Sequence, residues 1–285
     1  MLSFLTGVAS PTLAFIVMLI VGLELRPADF TRVARYPRTV IIATVGQAVL
    51  LPLLAVFLAR LIALPRELAV PMLFLAFSPG GALSNYYTSL AGRNVALSVT
   101  LTAVSTILSL VSIPIATVVL LDFIGVGGAS LSLPKAMIML QLFLFVVFPI
   151  ALGMGAGNLL GDRLGRWRPA LKIGALLLVV LLLATSLWTV RGELAASLSE
   201  IVLMATLFTC GAMLVGYLIS RLTPAPDRDV IVIECAVRNI PVAVLLGSSV
   251  DNSATYVCFV AVYFLVEVAL MVPYAVSRRM KSVRE

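Results

Sequence analysis

The chain has 285 residues, of which 61% are hydrophobic and only 12% charged, and its mean hydropathy is +1.14. Soluble domains carry about 25% charged residues, so this composition excludes an aqueous globular fold. The net charge of +7 has no basic soluble domain to carry it, which points away from nucleic acid and toward positive charge retained on the cytoplasmic loops of a membrane protein.

The N-terminus, MLSFLTGVASP, has no basic n-region, so no cleaved signal peptide is expected. Nine apolar segments come after it, at about 10–25, 39–61, 67–92, 94–121, 135–159, 172–190, 200–221, 228–250 and 254–277. With the N-terminus outside, the inner loops and tail hold Arg26, Arg32, Arg35, Arg38, Arg93, Arg163, Arg166, Arg168, Lys172, Arg221, Arg228, Arg278, Arg279, Lys281 and Arg284. The outer side holds Arg60, Arg66, Lys135 and Arg191, and Arg238 stays inside the bilayer. Fifteen against four predicts nine spans in the cell membrane, N-terminus out and C-terminus cytoplasmic. Cys210, Cys235 and Cys258 lie in apolar runs and are odd in number, so they are expected as buried thiols without a disulfide framework. The absence of histidine removes the usual proton relay and the usual zinc ligand, and no transition-metal site is expected.

The eighth segment, IVIECAVRNIPVAVLLGSSV, places Glu234, Arg238, Asn239 and Pro241 at mid-membrane. A charge there costs about 2.5–3.5 kcal/mol on an insertion scale, so these groups must face protein, water or each other. Pro241 lacks an N–H and disfavours α geometry just before it, which predicts a break at Asn239-Ile240-Pro241. The third segment carries SPGGALSN, whose Pro79-Gly80-Gly81 predicts a matching break. Segments one to four and six to nine thus read alike, with opposite starting sides because segment five intervenes. That is an inverted repeat, which in transporters puts the binding site where discontinuous helices meet. The expected fold is all-α, with crossing discontinuous helices at 67–92 and 228–250. Proline and glycine are also ordinary in membrane helices, but two breaks at matching positions favour transport.

The stretch FSPGGALSNYYTSLAGRNVALSVTLTAVSTIL, together with GLELRPADFTRVARYP, TVGQAVLLP and IECAVRN in the same order, closely resembles the bile acid:sodium symporter family. The resemblance covers essentially the whole chain as a single transporter unit. It implies a panel domain (about 10–61 and 135–190) and a core domain (about 67–121, 200–250 and 254–277). Bacterial relatives commonly have ten spans, and this chain is read as starting at their second, as the nine-span animal members do. The implied substrate is a small organic anion, from bile acids and steroid sulfates to small acids, moved by alternating access with Na+ as the coupling ion.

The resemblance also implies site residues. A first sodium site would use Ser84, Asn85, Ser98, Thr102 and Glu234, oxygen donors suited to a hard cation. Ser98 and Thr102 share one helix face, although either hydroxyl alone can bond back to its own helix. A second site would use Gln47, Glu234 and the carbonyls of Cys235 and Val237, together with a glutamine where this chain has Arg238. Arginine is donor-only and permanently charged, so it repels sodium. Either Arg238 is a tethered cation replacing the second sodium, or it swings toward the substrate's anionic group or Glu267. In the first case transport uses one sodium, or none.

The substrate would meet Asn239 and the backbone of Gly80, Gly81 and Ala82. Glu234 with one sodium is neutral, which leaves the Arg238 charge for an anion. Glu267, mid-span in the ninth segment, either pairs with a core arginine, acts as a titratable site, or faces substrate. Glu24 sits near a membrane edge where it can snorkel.

Other classes fit less well. An intramembrane enzyme would need a nucleophile–base set or metal cluster, and no H-E-x-x-H or G-x-S-x-G occurs. A channel has no need of substrate-shaped breaks. The nearer rival is a sodium-independent or proton-coupled carrier of the same fold.

Overall fold

The computed structural model describes residues 10–24, 36–123, 140, 143–160, 167–189, 191–249 and 254–282. Of the residues in the charge count, Arg26, Arg32, Arg35, Lys135, Arg163, Arg166 and Arg284 lie outside these ranges, as does most of MLSFLTGVASP.

The described elements are helical. In chain order they are α1 (Ser10–Glu24), α2 (Pro37–Leu61), α3 (Arg66–Phe77), α4 (Ala82–Leu90), α5 (Val95–Phe123) and α6 (Phe143–Leu160), then α7 (Arg168–Thr189), α8 (Arg191–Ser220), α9 (Arg228–Ala236), α10 (Ile240–Ser249) and α11 (Ala254–Ser282). Among them, the stretches Pro37–Leu61, Phe143–Leu160, Leu198–Ser220 and Thr255–Lys281 are long and apolar enough to cross a bilayer. The apolar run expected at 200–221 continues backward as helix to Arg191. The added turns, RGELAASLSE, are too polar for the hydropathy signal yet rich in helix formers such as Ala, Leu and Glu.

Two groups of helices emerge from the packing. α1 lies against α6, α7 and α10, whereas α2, α3, α5, α8, α9 and α11 pack mainly among themselves, with α7 also reaching α11. Residues 37–61, assigned to the panel from sequence, therefore have α3, α5 and α8 as neighbours. The α1–α6 contact is close because glycines line it. A Cβ on Gly157 would sit 2.9 Å from the Leu23 carbonyl oxygen, and one on Gly153 would be 2.8 Å from the Leu23 nitrogen. Small residues four apart let membrane helices approach this way.

Burial separates centre from rim. Only 17% of the most apolar stretch of α6 is buried, against 61% in α11. On α2, Ile41, Val45, Val49, Leu53 and Phe57 form an exposed apolar stripe at i, i+4 spacing, as a lipid-facing surface requires. The expectation for the thiols is corrected here: Cys235 and Cys258 are buried, but Cys210 is exposed on α8. In a membrane protein an apolar run does not distinguish lipid-facing from core-facing positions, because lipid tails are as apolar as the core.

Candidate functional site: the crossover behind two broken helices

Both expected interruptions are present, and they meet. α3 stops at Phe77 because Ser78, which precedes Pro79, turns extended (φ −59°, ψ 148°). The chain resumes as helix at Ala82, with Gly81 also extended. In the second case α9 stops at Ala236 and α10 starts at Ile240. The break thus occupies Val237-Arg238-Asn239, and Pro241 lies inside the first turn of α10. Proline is favoured there because its missing N–H would have no helical partner. Asn239 serves as the cap of α10, its Oδ1 accepting the Val242 N–H at 3.2 Å.

The two breaks pair as a minimal antiparallel bridge between Gly80 and Arg238. Gly81 N–H donates to the Val237 carbonyl at 3.1 Å, and Asn239 N–H donates to the Pro79 carbonyl at 3.0 Å. The Gly80 N–H is taken by Ser105 Oγ at 3.1 Å, and Tyr263 OH donates to the Ala236 carbonyl at 2.5 Å. Backbone groups freed by the breaks are thereby satisfied away from water, as membrane depth demands. The approach is tight. A Cβ on Gly81 would lie 2.5 Å from the Arg238 carbonyl oxygen, and one on Gly80 would lie 2.6 Å from Glu234 Oε2.

Glu234, fully buried near the end of α9, is ringed by hydroxyls. Its Oε1 accepts from Ser84 Oγ and Ser98 Oγ, each at 2.5 Å, and Thr102 Oγ1 lies 3.2 Å from both carboxylate oxygens. Ser84 Oγ is also 3.3 Å from Thr102 Oγ1 and 3.5 Å from Ser98 Oγ. Three helices, α4, α5 and α9, thus converge on one point. A hydroxyl has one proton and two lone pairs, so each can donate to the carboxylate while offering oxygen to a hard cation. Asn85, grouped with these residues by resemblance, has a buried Oδ1 without a hydrogen-bond partner.

Arg238 sits across the bridge, 2% exposed. Its guanidinium covers the open end of α3: Nε donates to the Leu75 carbonyl at 3.2 Å, and Nη2 donates to Ala76 at 3.1 Å and also to Ser78. A cation at a helix C-terminus meets its partial negative charge. Nη1 lies 3.5 Å from Gln47 Oε1. A π-helical turn at Gly46–Leu50 carries Gln47 to this place, a distortion often found at functional sites. Glu267 Oε2 accepts the Arg238 backbone N–H at 3.3 Å, whereas its Oε1 has no partner. Cys235 and Val237 are fully buried beside these groups, and Ala82 opens α4.

Ser105 escaped the sequence reading, though its signal was present. Ser98, Thr102 and Ser105 stand at i, i+4, i+7 and extend one polar face of α5. At the end of the molecule where α4, α9 and α11 meet, Asp229 bonds Arg93 at 2.8 Å, Arg278 at 3.2 Å and the Tyr274 hydroxyl at 2.9 Å.

The two interrupted helices thus cross beside a carboxylate–hydroxyl cluster. The sodium bile acid symporter family model matches residues 11–197. The chain belongs to that family. Among similar members is an uncharacterized sodium-dependent transporter, YocS, of Bacillus subtilis (strain 168), 30% identical over 227 residues, covering 79% of this chain and 68% of that protein. The probable sodium/metabolite cotransporter BASS2, chloroplastic, of Oryza sativa subsp. japonica is 28% identical over 232 residues, covering 81% of this chain and 54% of its own length. The P3 protein of Homo sapiens is 27% identical over 209 residues, 71% of this chain and 43% of that one. The chain therefore spans about half or less of the plant and human proteins it resembles. As a symporter-family member with several bilayer-length helices, it is a multi-pass membrane protein.

Proposed function

We propose that this chain is a secondary active transporter that carries a small organic anion together with one sodium ion. The observation that carries the proposal is the Glu234 cluster, in which a carboxylate and three hydroxyl oxygens converge from α4, α5 and α9. Sodium needs several oxygens around it, and Ser84, Ser98, Thr102 and Glu234 supply them. The relatives from Bacillus subtilis and rice, named a sodium-dependent transporter and a probable sodium/metabolite cotransporter, point the same way. Arg238 takes the place of a second sodium. Its fixed charge lies beside Gln47 and over the α3 carbonyls, where a cation would otherwise be held by oxygen.

An organic anion suits the crossover because α4 and α10 both begin there, and helix N-termini favour negative charge. The substrate would lie against Asn239 and the Gly80–Ala82 backbone. For alternating access, α1, α6 and α7 form the panel, and α2 joins α3–α5 and α8–α11 in the core. Sodium at Glu234 orders the crossover and favours one arrangement, to the extent that it binds the two states differently. The Asp229 cluster gathers Arg93 and Arg278, both assigned inside by the charge rule, which supports a cytoplasmic C-terminus.

The test is uptake of labelled organic anions into proteoliposomes, with and without a sodium gradient, for the natural chain and Arg238→Gln. Sodium-driven uptake with a Hill slope near one, rising toward two in Arg238→Gln, is expected. A slope near two in the natural chain would overturn the role of Arg238. Uptake indifferent to sodium but driven by a proton gradient would favour the second reading, a sodium-independent carrier of the same fold in which Arg238 replaces the coupling ion altogether.

A further inference from the structure

The charged side chains that are buried, among the described residues, are Asp227, Glu234, Arg238 and Glu267. Asp227 lies in the connection before α9 and accepts from Thr39 Oγ1 at 3.0 Å. The other three gather at the crossover. Arg238 directs its guanidinium donors to three backbone carbonyls and the Gln47 amide, all neutral acceptors. Among the described residues, no carboxylate pairs with the guanidinium directly. A permanent charge this deep still needs opposite charge nearby. Glu267 is fully buried one helix away, and its carboxylate accepts the N–H of Arg238 itself. Tyr87 from α4 and Tyr263, one turn back on α11, also lie near it, and neither brings a positive charge.

We infer that Glu267 is the counter-charge of Arg238, and that Arg238 fills the place of the second cation beside Glu234 as part of this pair. The inference rests on the role given to Arg238 above. Glu234 and Arg238 by themselves sum to zero, so a sodium ion added at the hydroxyl cluster would leave the buried site at +1. Glu267 returns the sum to −1, and one monovalent cation then neutralises it. The pair therefore preserves the demand for one sodium at Glu234 while removing the demand for two. It also revises the charge count made from sequence: the positive charge of Arg238 is already compensated and is not held in reserve for the substrate. Substrate recognition falls instead to Asn239, the backbone of the first break and the two helix N-termini. Glu267 is on this account a positioning residue for charge, acting through Arg238.

The experiment uses purified full-length protein in nanodiscs and measures thermal stabilisation by NaCl, with choline chloride holding ionic strength. Four proteins are compared: the natural chain, Glu267→Gln, Arg238→Gln and the double variant. Glutamine keeps an acceptor for the Arg238 N–H, so the local hydrogen bond survives. With Glu267→Gln the site sums to zero, and the sodium midpoint should rise at least about tenfold, roughly the effect of one nearby charge. With Arg238→Gln it sums to −2, and the Hill slope should rise toward two. The double variant returns to −1, and its midpoint should fall back to within about threefold of the natural chain; such non-additivity is the mark of a coupled pair.

An unchanged midpoint in Glu267→Gln would overturn the inference, since it would mean that Glu267 carries no charge to lose. Strictly additive effects would overturn it equally. If sodium stabilises none of the four proteins, the sodium reading of the site fails separately. The pair is then judged by melting temperatures in choline alone, where rescue of Glu267→Gln by the second substitution upholds it and additivity refutes it.

Discussion

The two broken helices reach the same point by opposite means. The first, between α3 and α4, is made of Pro79, Gly80 and Gly81, and contributes backbone: carbonyls at the end of α3 and N–H groups at the bridge. The second, between α9 and α10, has ordinary side chains in its break and contributes chemistry: Glu234 just before it, Arg238 within it and Asn239 as the cap of α10. Each depends on the other, because the guanidinium from the second break covers the open carbonyls of the first. One break must be thin so that the other can be charged. The glycines matter as absences of side chain, and the polar residues matter as functional groups held in fixed positions.

The sharpest way to break this comparison is to remove the chemistry while leaving the scaffold. Glu234→Ala deletes the one carboxylate of the cluster and leaves the hydroxyls of Ser84, Ser98 and Thr102 only their longer contacts with one another. Each buried group left unsatisfied costs about 1–3 kcal/mol, so sodium-coupled uptake should fall at least about a hundredfold in proteoliposomes. Normal sodium-driven uptake would refute the site.

Thickening the scaffold comes next. Gly81→Ala puts a methyl 2.5 Å from the Arg238 carbonyl oxygen, a clash that backbone movement must relieve at about 1–3 kcal/mol. Uptake should drop about tenfold with a lower melting temperature. Gly155→Ala, where nothing lies within 4 Å of the added carbon, should be neutral or slightly stabilising, as expected for an open helical position. Equal effects at the two glycines would show that close approach is not what the first break requires.

A smaller effect should come from Ser105→Ala, which takes the acceptor from the Gly80 N–H while leaving Glu234 and its three hydroxyls intact. About 1–3 kcal/mol of stability is at stake, read as a lower melting temperature with the sodium midpoint unchanged. A shift in sodium midpoint would move Ser105 into the cation site. The smallest effect belongs to Asp229→Asn, at the edge of the same helices. Its partners Arg93 and Arg278 are 23% and 30% exposed, and partly solvated ion pairs contribute roughly 0–1 kcal/mol. A loss of a few degrees in melting temperature, with sodium coupling kept, would place it as a strut of the core.

Much of this protein was legible in the chain. Composition demanded a bilayer, proline and glycine marked both interruptions, and the motif around Glu234 and Ser84 named the residues that converge. The reason is that membrane depth leaves few options: polar residues there must meet partners, and a backbone break needs a residue that tolerates it. The register of the second break was less legible, because Pro241 reads equally well as a helix stop and as the first turn of a new helix, and only the cap at Asn239 decided between them. Exposure was illegible as well, since Cys210 and Cys235 sit in equally apolar runs, one facing outward and one buried.

What the sequence determined by itself was the membrane class and the paired breaks, while the grouping of Ser84, Ser98 and Thr102 with Glu234 came from the family resemblance. What only the tertiary structure decided was direction. Arg238 turns to the end of α3, the Asn85 Oδ1 is left without a hydrogen-bond partner, and Glu267 comes from 29 residues away to meet the Arg238 N–H. Side-chain direction at a crossover depends on how two distant segments approach each other, and no local pattern along the chain encodes that approach.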